Sequence, residues 1–160
     1  MKCGGISLVA FLGALAVAAP ASARALDPSA TITAVNSTRS HYHLRALRHS
    51  AVLDRSASLK AQDIVRCHVF SHTPCGLAFA RTFQQTGYFR GSVSVGENLY
   101  WGEGSLGTPD QAVAAWLRSP PHRANLLGHG WRDVGVAVVH RPGLFGGGDV
   151  WLYVLQFGRR

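Results

Sequence analysis

Lysine is nearly missing from this chain. Of its sixteen cationic side chains only Lys2 and Lys60 are lysines, and the arginines are scattered, with no run anywhere. A protein that grips nucleic acid gathers its cations on one face or in one stretch, with exposed aromatics beside them. The pattern therefore points away from nucleic acid as a partner. Acidic residues are also few, eight against sixteen, which sets the formal charge at +8. Unclustered charge of this kind acts as a general field that attracts anionic polymers and lipid headgroups. After the first 25 residues no apolar run approaches the roughly 20 residues of a membrane-spanning helix. The chain has no internal repeat and, past its leader, no low-complexity tract, which argues against a repeat architecture. A G-x-S-x-G elbow is absent as well, so a serine nucleophile of that type is not expected.

At 160 residues the sequence is one domain's worth. Lys2 precedes the 14-residue apolar run "ISLVAFLGALAVAA", and "ASARA" follows with small residues at the spacing a signal peptidase reads. Residues 1–25 are expected to be a signal peptide cut after Ala23 or Ala25, 26–31 a leader, and 32–160 the folded domain. An uncleaved membrane anchor is the alternative, for which the run is short. Cys3 lies ahead of the run, so it is not a lipid-modified cysteine after a signal peptide. Loss of Lys2 and Arg24 leaves a mature charge of +6. The expected product is a monomer outside the cytosol, secreted or in the cell envelope, without a transmembrane helix.

Two cysteines then remain, Cys67 and Cys75, and an even count in a secreted chain favours a disulfide. Closing so short a loop stabilises by roughly 2–3 kcal/mol on the chain-entropy model. Zinc held by both thiolates stays open as an alternative, although eight residues apart is wider than the two-to-four-residue gap of a zinc knuckle.

"LDPSA" reads as a leader or turn. From Thr31 the chain turns helical, with Ile32, Val35, Asn36 and Arg39 recurring at three and four. A second helix is expected from Ser50 to Cys67. Leu53, Ala57, Ala61, Ile64 and Val65 form its apolar stripe, and Arg55, Lys60, Asp63 and Arg66 its wet face. The stretch 68–96 is punctuated by Pro74, Gly76, Gly87 and Gly91, with room for a short helix in "CGLAFARTFQQTGY". "SVSVGENLYWG" alternates and reads as extended. In "GTPDQAVAAWLRS" Thr108 is a cap, Pro109 the first helical residue and Gln111 the third, with Asp110 suited to the dipole. Pro120 and Pro121 stop that helix. "HRANLL" offers one more turn. "WRDVGVAVVHR" and "DVWLYVLQFGR" are strands joined by the loop "PGLFGGG". An antiparallel sheet covered by helices follows.

Three stretches place a metal- or proton-competent side chain beside residues that fix the backbone: "FSH" with His72, "GEN" with Glu97 after Gly96, and "SPPHRANLL" with His122. A lone histidine or glutamate in a loop is ordinarily a solvated side chain. His68, four residues before His72, is a weaker candidate ligand because Pro74 argues against a continuing helix. His41, His43, His129 and His140 read as residues of the surface, turns or strand ends.

Taken together, "FSH", "GENLY", "AVAAWLRSPPHRANLL" and "WRDVGVAVV…WLYVLQFG" occur in the order found in bacterial CAP-superfamily domains. These are also called SCP domains, after cysteine-rich secretory proteins, antigen 5 and plant pathogenesis-related proteins. The resemblance covers roughly residues 32–158, and "NSTR" with Asn36 and Arg39 resembles the family's opening helix. It implies an α+β fold: a three-layer α-β-α sandwich with a central antiparallel sheet and a surface cleft. Two histidines and one or two glutamates line that cleft in the family, and the histidines bind a divalent cation such as zinc. Matched by motif, these are His72, His122 and Glu97. The second glutamate follows a tryptophan by three in the family; here that position after Trp116 is Ser119, which weakens any mechanism needing two carboxylates. Asn98, Ser119 and Tyr100 are expected around the cleft.

Neutral imidazole suits zinc, and Glu97 serves either as third ligand or as the carboxylate behind a histidine. As a third ligand it leaves an open position that can activate water. Standing off, it leaves two protein ligands and a shell completed by water, with weak, pH-dependent binding. Three functions follow. One is a secreted module that binds a lipid or cell-envelope ligand. Another is a metal-dependent, peptidase-like hydrolase with Glu97 as base. The last is a non-catalytic structural or interaction domain.

Overall fold

The computed structural model describes residues 27–160, and its first element begins immediately. Helix α1 (Pro28–His41) is capped by Asp27, whose carboxylate accepts from the Ser29 amide at 2.8 Å, with Pro28 at the first helical position. An acceptor at the cap and a proline whose missing amide is not needed form a start signal. The leader reading of 26–31 is thus corrected from Asp27 onward. The signal-peptide reading of 1–25 lies outside the described residues.

Thr31, Val35 and Arg39 recur every fourth residue on α1 and are buried. Arg39 is 1 % exposed, yet its charge is satisfied. Nε donates to the Arg45 carbonyl at 3.0 Å, and Nη1 to those of Leu126 and Gly128 at 2.8 and 3.1 Å. A guanidinium tolerates burial where carbonyls surround it.

Helix α2 (Ala51–Cys67) starts at Ser50, whose hydroxyl accepts from the Leu53 amide. Its stripe of Leu53, Ala57, Ala61 and Ile64 is fully buried. Two residues assigned to its wet face are not there: Lys60 is 2 % and Asp63 7 % exposed. Lys60 lies three residues after Ala57 and four before Ile64, on the stripe itself. Asp63 turns inward to accept from Arg66 and Arg81, at 2.7 Å each. His68, in the left-handed region at φ 52°, ends the helix, and Cys67 and Cys75 are joined as a disulfide across the following loop.

The short helix α3 (Arg81–Gln85) follows. Helix α4 (Pro109–Arg118) opens as its capping pattern requires, the Thr108 hydroxyl accepting from the Gln111 amide at 3.4 Å. Pro120 and Pro121 end α4 and also begin α5 (Pro120–Leu126), which is longer than the turn read from "HRANLL". The ring that breaks a helix interior is well suited to a first turn.

Four strands complete the fold: β1 (Arg48–His49), β2 (Ser94–Glu103), β3 (Asp133–His140) and β4 (Val150–Arg159), in spatial order β1-β3-β4-β2. The three long strands pair antiparallel; the two-residue β1 runs parallel to β3. Alternation divides the sheet between two cores. Tyr153, Leu155 and Phe157 of β4 face Val35 of α1, Trp116 of α4 and Leu126 of α5. Leu152 and Val154 of β4, with Leu99 of β2, face Ala57, Ala61 and Ile64 of α2. The result is the expected α-β-α sandwich. Each large apolar side chain so buried contributes roughly 1.5–3 kcal/mol.

Candidate functional site

Strand β2 is an edge of the sheet, and its outward carbonyls are covered by side chains. The Glu97 carbonyl accepts from Asn125 Nδ2 at 3.2 Å and the Leu99 carbonyl from Trp116 Nε1 at 3.0 Å. These contacts blunt an edge that would otherwise offer itself to another strand. They also bring α4 and α5 against β2 at the "GEN" stretch. The strand's alternation sends Glu97 to the α2 side and Asn98 to the α4–α5 side.

His72 and His122 meet at this edge from opposite layers. His72 comes from the disulfide-closed loop after α2 and His122 from α5; their ring centroids are 6.4 Å apart. Glu97 is 3 % exposed. Its Oε1 lies 2.9 Å from His72 Nδ1, and its Oε2 accepts from Gln156 Nε2 at 2.8 Å. A carboxylate oxygen accepts from a ring N–H, so this contact matches the His72 tautomer with its proton on Nδ1 and Nε2 turned away from Glu97. His122 Nδ1 lies 2.9 Å from Ser119 Oγ. Its carbonyl accepts from Asn98 Nδ2 at 2.9 Å, and the Asn98 Oδ1 accepts from Asn125 Nδ2 at 3.0 Å. Burial, and secondarily the neighbouring His72, hold the His122 imidazole below its ordinary pKa.

Tyr100 stands further along the strand. Its hydroxyl donates to the Leu106 carbonyl at 2.8 Å, and its ring packs near Trp116 and Tyr153. A groove of about 170 Å³ opens beside it, with Phe70, Trp101, Trp116 and His122 among its walls. The Phe145 ring bridges two partly exposed neighbours, 5.9 Å from Phe70 and 5.6 Å from Trp101. Roomier cavities of about 400 and 380 Å³ lie elsewhere, one between α1 and α4 and one at the start of α1. Neither touches His72, Glu97 or His122. The groove is the relevant space because it alone of these reaches a histidine of the cluster.

His72, Glu97, His122, Asn98 and Ser119 are thus brought together, with Tyr100 along the adjoining groove. His68 is exposed at the end of α2. Sequence reasoning missed Lys60, whose Nζ lies 4.0 Å from Glu97 Oε1, and Gln156. Both had a signal in their spacing. Gln156 is the polar member of the series Val150, Leu152, Val154, Gln156 on one face of β4. Among the described residues, no three His, Cys, Asp or Glu side chains gather as a metal-holding group. The chemistry of two imidazoles with Nδ1 engaged suits a divalent cation only if water supplies the rest of its shell.

The model of the cysteine-rich secretory protein family, CAP, matches residues 32–157. The protein described as "Uncharacterized protein YkwD" of Bacillus subtilis (strain 168) is 28 % identical over 134 residues, covering 83 % of this chain and 48 % of that protein. The chain therefore spans about half the length of this relative. An extracellular SCP-domain protein of Bacillus anthracis superposes with a TM-score of 0.69 at 22 % identity, over 82 % of this chain and 40 % of the other. An outer surface protein of Borrelia burgdorferi gives a TM-score of 0.64 at 22 % identity, over 81 % of this chain and 89 % of the other. At that identity the likeness is one of fold. Among the described residues, no helix is long and apolar enough to cross a membrane.

Proposed function

Since the chain belongs to the cysteine-rich secretory protein (CAP) family, we propose that it is a secreted binding module for an amphiphilic lipid of the cell envelope. His72 and His122 hold a divalent cation, zinc by donor chemistry, and the adjoining groove takes the ligand's apolar part. The observation that carries this reading is the pairing of the two imidazoles. Each has Nδ1 fixed by a protein partner, at 2.9 Å in both cases, so each can present Nε2. Glu97 stands behind His72 as the carboxylate that fixes tautomer and ring direction. A bound zinc ion supplies a positive centre for an anionic headgroup. Phe70 and Phe145 supply apolar rings, and Trp101 an amphipathic one of the kind that favours an interface between water and apolar matter.

Calorimetric titration with Zn²⁺ between about pH 5 and 8 tests the cation. Binding is expected near neutrality, weakening with acid as protons compete for Nε2, and absent from both His72→Ala and His122→Ala. Wild-type protein that takes up no zinc ends this reading. Vesicle sedimentation with and without Trp101→Ala tests the groove; equal retention of the two proteins removes the lipid.

A second reading is favoured by the Glu97–His72 pair. A carboxylate holding Nδ1–H leaves Nε2 as a general base for water. Turnover of a peptide or ester substrate that is lost in His72→Ala and survives chelator would place the hydrolase first.

A further inference from the structure

Lys60 is the charged member of the α2 stripe, and it touches each of the things that place His72. Its Nζ donates to the His72 carbonyl at 2.5 Å. It lies 4.0 Å from Glu97 Oε1, the oxygen that accepts from His72 Nδ1. It also lies 5.5 Å from the centre of the Phe79 ring, which meets the His72 imidazole edge-on at 6.3 Å. The backbone, the carboxylate and the ring neighbour of one imidazole thus converge on a single ammonium.

A bland role for this lysine accounts poorly for the geometry. Burying an ammonium costs several kcal/mol, and an apolar residue of similar length would pack on the stripe without that cost. At 4.0 Å the Glu97 contact is too long for a direct hydrogen bond. The close donation goes to His72 instead. Asp63 and Arg81 are the other charges that act on Lys60, in opposite senses, and Glu97 is the largest attraction that keeps its proton in place against burial.

We propose that Lys60 is a positioning residue of the cleft, which holds the His72 loop and imidazole against Glu97 and so sets the place of His72 beside His122. Without it the loop is still closed by Cys67–Cys75, but the bridge constrains the chain and leaves the ring direction free. The consequence for cation binding rests on the function proposed above; the positioning itself is read without metal.

The test uses imidazole-labelled, metal-free protein and follows the slowly exchanging Nδ1–H of His72 by NMR. Wild type and Lys60→Arg are expected to show it. Lys60→Met strands a buried carboxylate and can unfold the chain. The deciding pair is therefore Glu97→Gln against Glu97→Gln/Lys60→Met, since glutamine keeps an acceptor oxygen and leaves no buried carboxylate for the second substitution to strand. The signal should persist in the single variant and vanish in the double, with the sheet amide spectrum unchanged. Zinc affinity should fall about tenfold or more between the two, the usual effect of losing a partner behind a ligand. A double variant that keeps both the Nδ1–H signal and the zinc affinity of the single overturns the proposal, as does a wild type that lacks the signal. If no variant binds zinc, the metal reading fails while the NMR comparison still decides the role of Lys60.

Discussion

Ser119 stands where the family pattern has its second glutamate, and the exchange changes what reaches His122. A hydroxyl orients the ring at 2.9 Å but brings no charge, and burial, then His72, lowers the His122 pKa from its ordinary value. Ser119→Ala removes the orientation alone. Zinc affinity should drop about tenfold while stability changes by about 1 kcal/mol or less, because Ser119 makes no side-chain cap bond to α5. Calorimetry and denaturant unfolding on the same preparation separate the two effects. His72, Glu97 and His122 were picked out because the order of their motifs resembles the family's; alone, each read as an ordinary solvated side chain. Lys60 and Gln156 were not, although their spacing marked them as inward-facing. Residue type had assigned Lys60 to solvent, while period placed both in the core. Their burial is tolerated because Gln156 donates to Glu97 and Lys60 donates to the His72 carbonyl with Glu97 nearby.

Helix α2 carries Lys60 at a fixed height over the sheet, and one glycine sets that height. A Cβ at Gly135 of β3 would come within 2.4 Å of the Leu53 Cβ and of the Asp54 backbone nitrogen. Neither is the end of a flexible side chain, so the helix must move. The same approach lets Asp54 Oδ1 accept from the Val136 amide at 2.9 Å. Gly135→Ala should destabilise by about 1–3 kcal/mol, the usual range for overpacking, read as a lower denaturant midpoint. It should also weaken zinc binding although it lies far from the cleft in sequence, because α2 shifts as a body. The helices and long strands that make this packing were readable from caps and from periods of 3.6 and 2. β1 was not. Two residues carry no period, and their pairing with Asp133 and Val134 arises from a contact some 85 residues away in sequence.

Several elements at one end of the sheet are tied together through Tyr88, and this makes the fold sensitive to alkali. Its hydroxyl donates to Asp133 Oδ2 at 2.8 Å, while Arg48 donates to Oδ1 of the same carboxylate at 2.8 Å. Gly158 of β4 makes the space, since a Cβ there would fall 2.1 Å from the Tyr88 oxygen. The loop after α3, β1, β3 and β4 thus meet on one phenol. Burial, then the hydrogen bond to Asp133 and its charge, raise the Tyr88 pKa far above the ordinary value of 10.0. Above pH 10 the unfolded chain loses this proton while the folded chain keeps it. The unfolded state then binds fewer protons, so stability falls as pH rises from the unfolded toward the folded pKa. Denaturant midpoints should hold steady up to about pH 9 and decline by about pH 11, with phenolate absorbance appearing together with unfolding. Tyr88→Phe separates this from general alkaline damage. At neutral pH it should cost about 1–3 kcal/mol, because Asp133 Oδ2 loses a buried donor. Its midpoint should then fall less steeply with alkali than that of the wild type. Equal alkaline slopes in the two proteins would show that Tyr88 is not the group through which the fold feels base.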